Sequence, residues 1–204
     1  MKMEQLSFFK EEGQTPGLPV SLLDYRAEFF EAGEGKALME RLIKDSLWKQ
    51  RVVKMYDKEV VTPRLTAWYG DPEAYNYTVL GKSAPLPRTA DLLMIRKKVE
   101  LIAGISFNSV LLNYYRDGND SVAWHSDNEK ALGTHPVIAS VTFGQVRSFD
   151  IRNKADHSLK YSIRLEHGSL MIMKGDLQVN WNHRIAKSTK PMTERLNLTF
   201  RVVI

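Results

Sequence analysis

Arg195-Leu196-Asn197-Leu198-Thr199-Phe200-Arg201-Val202 alternates strictly between polar and apolar side chains. A period of two marks a β-strand, because successive side chains point to opposite faces of a sheet. Leu196, Leu198, Phe200 and Val202 make one face; Arg195, Asn197, Thr199 and Arg201 make the other. Two arginines with an amide and a hydroxyl between them form a row able to donate hydrogen bonds along its length. Arg195 and Arg201 stand roughly 20 Å apart along an extended strand. Their long side chains could still converge on a small dicarboxylate, which the planar guanidinium fork pairs bidentately. A half-exposed strand with a polar outer face satisfies the same pattern.

Working back from this strand, runs of strand-forming residues recur at 108–115, 137–143, 145–152, 159–165 and 169–173. Turn residues separate them: Asp117-Gly118, Gly133, Gly144, Asn153, His167-Gly168 and Gly175-Asp176. Short strands at this spacing argue for an antiparallel sandwich or barrel. Two helices precede them. Residues 35–48 place Leu38, Leu42, Ile43 and Leu47 on one side. A second helix is capped by Thr89, carries Leu92, Ile95, Val99 and Ile102 on one face, and ends at Gly104. Between them, 49–88 mixes short strand-like pieces (Val52-Val53, Val60-Val61) with loops, and Gly13, Pro16, Gly17 and Pro19 break up an N-terminal arm over 1–22. The expected fold class is α+β, mainly β. A single domain spans 1–204, with arm and helices in 1–106 and the β core in 107–204.

The 204 residues suffice for one hydrophobic core, and 43% hydrophobic with 26% charged content is ordinary for a globular protein. There is no cysteine, which excludes disulfides, thiolate metal sites and cysteine nucleophiles. No secretory signal or membrane-length apolar run stands out, so a cytoplasmic protein without membrane attachment is expected. The net charge of +5 is uneven. Residues 1–40 hold four Lys/Arg against eight Asp/Glu, whereas 41–64 hold seven against three and 82–98 five against one. A basic body suits a phosphate-bearing partner, and Lys44, Lys49, Arg51, Lys54 and Arg64 are candidate phosphate contacts.

Candidate metal ligands stand in Trp124-His125-Ser126-Asp127. In extended chain His125 and Asp127 point the same way and can reach one ion. His183 follows 56 residues after Asp127, within Trp181-Asn182-His183-Arg184. Two imidazoles and one carboxylate form a facial triad suited to non-haem iron(II). Zinc accepts the same donors and would imply hydrolysis. With five histidines and eleven aspartates, chance supplies about 0.3 His-x-Asp pairs, so the motif alone decides little. His135, His157 and His167 read as structural or solvent-facing. Upstream, Asn113 and Tyr115 share a strand face, and both can hydrogen-bond a carboxylate.

In chain order these features are Asn-x-Tyr-x-x-Gly, His-x-Asp, a distal His, and Arg-x-Asn-x-Thr-x-Arg. The series resembles the AlkB-like iron(II)- and 2-oxoglutarate-dependent dioxygenases, nearest to their DNA-repairing branch. The resemblance implies a double-stranded β-helix, or jelly roll, behind a nucleotide-recognition lid. It implies iron(II) on His125, Asp127 and His183, and 2-oxoglutarate on Asn113, Tyr115, Arg195, Asn197, Thr199 and Arg201, with Arg195 at the distal carboxylate and O2 as co-substrate. The implied activity is oxidative demethylation of 1-methyladenine and 3-methylcytosine in DNA by a monomer. RNA or a protein side chain is the alternative substrate, and a non-catalytic nucleic-acid-binding jelly roll the alternative function. Tyr77 is the implied stacking partner of a flipped base, with Tyr69 in the same lid, Tyr56 as a wedge and Glu129 as acceptor for an exocyclic amine. Val79 and Asn128 depart from the second aromatic and second acid that relatives often carry.

Overall fold

The computed structural model describes residues 21–55, 58–71 and 84–204. Eleven strands and three helices are formed among them. The strands are β1 (Leu23–Arg26), β2 (Lys49–Met55), β3 (Lys58–Gly70), β4 (Ser109–Tyr115), β5 (Val122–His125), β6 (Ile138–Gly144), β7 (Arg147–Asn153), β8 (Lys160–Leu165), β9 (Ser169–Met173), β10 (Trp181–Ile185) and β11 (Arg195–Arg201). The helices are α1 (Ala32–Asp45), α2 (Ala90–Ala103) and the short α3 (Leu177–Asn180).

The strands form two antiparallel sheets. The larger runs β1-β9-β6-β11-β4-β3-β2 and the smaller β5-β10-β7-β8. This is the jelly-roll arrangement that the strand pattern and the resemblance implied. Strand β11 lies in the middle of the large sheet, and all seven of its residues are buried. Its apolar side chains, Leu196, Leu198 and Phe200, join a core with Leu38 and Leu42 of α1 and Leu92, Ile95 and Val99 of α2. A second core, including Tyr115, Phe149, Ile151, Met171 and Trp181, contains residues of both sheets. The polar face of β11 therefore does not look out on solvent. It faces a cleft shared with the small sheet.

Both helices follow their caps. The Glu31 carboxylate accepts from the Glu34 N–H, so α1 starts at Ala32, three residues before the apolar pattern begins. Thr89 Oγ1 accepts from the Leu92 N–H, and Gly104, at φ 70°, ends α2 in the left-handed conformation. Residues 49–55 and 58–70, which read as short pieces in the sequence, form two long strands, β2 and β3, paired antiparallel. Their register shifts between Gln50 and Val52, beside Pro63.

The turn after β6 needs glycine. Gly144 has φ 88°, and a Cβ there would stand 2.4 Å from the Glu194 carbonyl oxygen and 2.7 Å from Met39 Cε. Its N–H donates to His167 Nδ1 at 2.8 Å, and His167 Nε2 meets the Ala32 carbonyl at 3.0 Å, tying the turn to the start of α1. Gly144→Ala should therefore lower stability by about 2 kcal/mol, the scale of a strained non-glycine residue. Urea denaturation reads this, and an unchanged midpoint would show that the turn relaxes freely.

Candidate active site

The cleft between the sheets encloses about 480 Å³ of free space, counted to its open mouth. At one end, ring nitrogens of His125 and His183 and a carboxylate oxygen of Asp127 lie within 4.8 Å of one another. Cross-strand pairing brings the two histidines together, because His183 of β10 sits directly opposite His125 of β5. Their ring centroids are 4.3 Å apart, and Phe149 stacks on the other side of His183 at 5.0 Å. Asp127 lies just beyond the end of β5, outside regular structure, with one oxygen 3.8 Å from His125 Nε2. His125 Nδ1 meets the Ala123 carbonyl at 2.8 Å, and a proton placed there leaves the Nε2 lone pair available.

The electrostatics favour metal binding. Burial pushes the His183 imidazolium down to about 3, with His125 adding to the effect and Asp127 opposing it. The ring is thus neutral near pH 7, the form that ligates metals. Burial alone would raise the Asp127 carboxyl, but Arg201, His183 and His125 outweigh it and hold it well below the usual carboxylate range. Arg201 Nη2 donates to Asp127 Oδ2 at 2.8 Å.

The wall beside this cluster is the polar face of β11 with its neighbours. Register sets Arg195 opposite Tyr115 and Asn197 opposite Asn113 on one side, and Asn197 opposite Thr142 on the other. Arg195 is 1% exposed. Its guanidinium lies 4.9 Å from the Tyr115 ring centre, and Nη2 donates to Thr142 Oγ1 at 3.0 Å, while Nε and Nη1 are buried without a partner. Burial pulls its pKa below the ordinary arginine value; Tyr115 opposes this and Arg147 reinforces it. Asn197 donates to Ser140 Oγ and the Val141 carbonyl, and its own oxygen accepts from Thr199, so these two side chains are engaged with each other and with β6. Asn113 Oδ1 accepts from Arg64 Nε at 2.7 Å, which leaves its amide N–H groups as donors.

All six residues expected around a dicarboxylate line this cleft, as do the three candidate metal ligands. The base-pocket candidates that fall among the described residues, Tyr69 and Glu129, do not line this cleft. Alternation along β3 puts Tyr69 opposite Val110, in the core beneath the helices, 4% exposed. Glu129 is exposed, immediately before a one-turn 3-10 helix (Lys130–Leu132), and close enough to act on the charge of Arg51. Tyr56, Tyr77 and Val79 lie outside the described residues. Two residues were not singled out for the site. Arg64 lines the cleft and holds Asn113. Gln178 accepts from the Asp127 N–H at 2.9 Å. Neither carries a local pattern in the sequence that announces it.

Two imidazoles and a carboxylate in one cleft with a buried arginine that lacks a counter-ion define a class of enzyme. Residues 23–201 match the 2OG-Fe(II) oxygenase superfamily, and the chain belongs to it. Within that superfamily its relatives are AlkB-like. The alpha-ketoglutarate-dependent dioxygenase alkB homolog 3 of Rattus norvegicus is 41% identical over 185 residues, covering 86% of this chain and 62% of that protein. The DNA oxidative demethylase ALKBH2 of Bos taurus is 37% identical over 160 residues, covering 74% of this chain and 57% of that protein. The chain thus spans about three fifths of the length of the curated relatives it matches. The solved structure of OsALKBH1, at 17% identity, shares the fold with a TM-score of 0.64, covering 88% of this chain and 97% of that one.

Membership brings iron(II), 2-oxoglutarate and O2 as the cofactor set. The residues present fit both groups. Two imidazoles and a carboxylate suit iron(II). A buried guanidinium with two unpartnered nitrogens suits a carboxylate, since an uncompensated buried charge is costly. No helix among the described residues is long and apolar enough to cross a membrane.

Proposed function

We propose that the chain is an oxidative demethylase of N-alkylated bases in DNA, with 1-methyladenine and 3-methylcytosine as substrates and formaldehyde as product. The observation that carries this reading is the placement of Arg195, buried without a counter-ion, in the same cleft as His125, Asp127 and His183. The likeness to the DNA oxidative demethylase ALKBH2 of Bos taurus supports the choice of substrate.

In this reading His125, Asp127 and His183 hold iron(II). Arg195 pairs with the distal carboxylate of 2-oxoglutarate, aided by the Tyr115 hydroxyl and the free amide N–H of Asn113. Asn197 and Thr199 brace the wall behind them through their bonds to each other and to β6. Arg201, already on Asp127, stands at the metal end of the site and orients that carboxylate. When bound, iron(II) together with 2-oxoglutarate and O2 would supply the oxidising chemistry: one oxygen atom of O2 would enter the N-methyl C–H bond, the other would go to succinate as 2-oxoglutarate loses CO2, and the hydroxymethyl group would leave as formaldehyde. The chain contributes the positions of these groups within one cleft. A methyl on a base-pairing nitrogen is hidden within a duplex, so the base must be flipped out or presented on a single strand. Tyr77 is proposed to stack on that base, Glu129 to accept from its exocyclic amine and Tyr56 to fill the gap it leaves. The basic segments of the chain are proposed to meet its phosphates.

The test is a panel of methylated DNA, RNA and peptide incubated with iron(II), 2-oxoglutarate and ascorbate, with formaldehyde measured. Release from 1-methyladenine or 3-methylcytosine DNA is expected to dominate. Release from RNA or peptide alone would move the substrate while leaving the chemistry. No 2-oxoglutarate turnover under any condition would leave only a binding module.

A further inference from the structure

The three proposed ligands sit on two short segments, and each segment is held by side chains that are not themselves ligands. Strand β5 is only four residues long and lies at the edge of the small sheet. It pairs with β10 at His125↔His183 and Val122↔Ile185, with a register break between. Asp127 lies beyond its end, where no strand partner fixes the backbone. Gln178 supplies the missing constraint. It is 1% exposed on α3, five residues before His183, and its Oε1 accepts from the Asp127 N–H at 2.9 Å. Its Nε2 is turned the other way, toward Met173 Sδ at 3.4 Å, which leaves the acceptor end on Asp127.

A second clasp closes the reverse face of the same segment. The Trp124 ring has the Arg152 guanidinium 4.3 Å and the Arg184 guanidinium 4.4 Å from its centre. Arg184 is itself fixed by Asp150 at 2.9 Å. Because side chains alternate across a sheet, Trp124 and Arg184 lie directly behind His125 and His183. The outer clasp therefore joins the segment carrying two ligands to β10, which carries the third, and Gln178 joins it to α3, which runs directly into β10.

We infer that Gln178 is a positioning residue for the metal site, with Trp124 as its counterpart on the outer face, and that the ligand geometry is set before metal arrives. The inference rests on the reading that His125, Asp127 and His183 are the ligands. A carboxylate moves with its peptide plane. Arg201 holds one carboxylate oxygen, and with the Asp127 N–H also anchored the carboxylate stays within reach of both imidazoles; with Arg201 alone the peptide plane is free to turn and carry the carboxylate away from them. Partners of this outer kind typically carry roughly 10–100-fold in metal affinity.

The experiment titrates the metal-free chain with Mn(II), a redox-inert stand-in for iron(II), by calorimetry, and follows exchange of the Asp127 amide by NMR. Gln178→Met keeps the length of the side chain but removes the acceptor. It should weaken Mn(II) binding roughly 10-fold and speed exchange at Asp127, and it should also lower the melting temperature, because the buried Asp127 N–H is left without an acceptor. Gln178→Glu retains an acceptor oxygen and should restore the affinity. A residue needed only for packing would shift the melting temperature and leave the affinity of the folded chain alone. Equal Mn(II) affinity in Gln178→Met overturns the inference and leaves the metal reading standing. Failure of the unaltered chain to take up Mn(II) overturns both. Should Gln178→Met not fold, Trp124→Leu against Trp124→Phe decides the matter: the leucine variant should bind Mn(II) more weakly than the phenylalanine one, and equal affinities overturn the inference.

Discussion

His125→Ala should reduce 2-oxoglutarate decarboxylation to background while leaving the chain folded. The His125 side chain is 36% exposed, and its polar contacts are the Ala123 carbonyl and the neighbouring Asp127. Truncating it thus removes a ligand without opening a large void. Metal affinity should fall by more than the roughly 10–100-fold that outer partners of a ligand carry. Asp127→Ala should abolish turnover equally but behave differently on heating. It removes the carboxylate that Arg201 meets at 2.8 Å in a largely buried pair, and deleting one partner of such a pair costs about 3 kcal/mol. Two variants with the same catalytic loss and different melting temperatures would separate the roles of these residues. Normal turnover in either would remove the metal assignment.

Replacing Arg195 should act on the co-substrate and not on the metal. In Arg195→Ala a carboxylate that pairs with the guanidinium loses a charge-assisted bond of about 3 kcal/mol, which is roughly 100-fold in the 2-oxoglutarate requirement. Mn(II) affinity should stay within about twofold, because Arg195 pairs with Thr142 and Tyr115 and does not touch the triad. Arg195→Met fills more of the vacated space. It should leave the ligand-free chain as stable as before or more so, since a buried cation without an anion is replaced by an apolar side chain. A 2-oxoglutarate requirement unchanged in both variants would mean that the polar face of β11 serves only the fold.

Much of the fold was legible because its signals are local. The capped ends of α2 fall at Thr89 and Gly104, as their chemistry dictates. The strands β4, β6, β8, β9 and β11 lie within about two residues of runs visible in the sequence, since a half-buried or buried strand must repeat every second residue. Strands β5 and β10 were not among those runs, although they carry the histidines. They have four and five residues and include His125, Asn182, His183 and Arg184, side chains chosen for the site and not for strand propensity. The β2–β3 pair was broken into pieces by Thr62-Pro63-Arg64, residues that interrupt an apolar pattern and in the structure mark a register shift.

The candidate ligands were legible for another reason. Few residue types bind metal or dicarboxylate, so His125, Asp127, His183 and the arginines of the last strand stood out by chemistry alone. Tyr69 did not follow its expected place, because an aromatic in a strand goes wherever alternation sends it, and here that is the core under α2. Gln178 was silent and Arg64 stood out only as a basic phosphate candidate, since a side chain that acts on a residue about 50 positions away leaves no mark in its own neighbourhood.

The amino-acid order by itself determined the two long helices and the longer strands of the β core, and supplied the donors. It did not determine on which side of β11 the water lies. Alternation specifies that two faces differ, but only the packing of α1 and α2 against one face and of the small sheet against the other turned Arg195 and Arg201 inward. Nor did it determine that His183 meets His125. That contact comes from antiparallel register between β10 and β5, a property of two strands together that neither possesses alone.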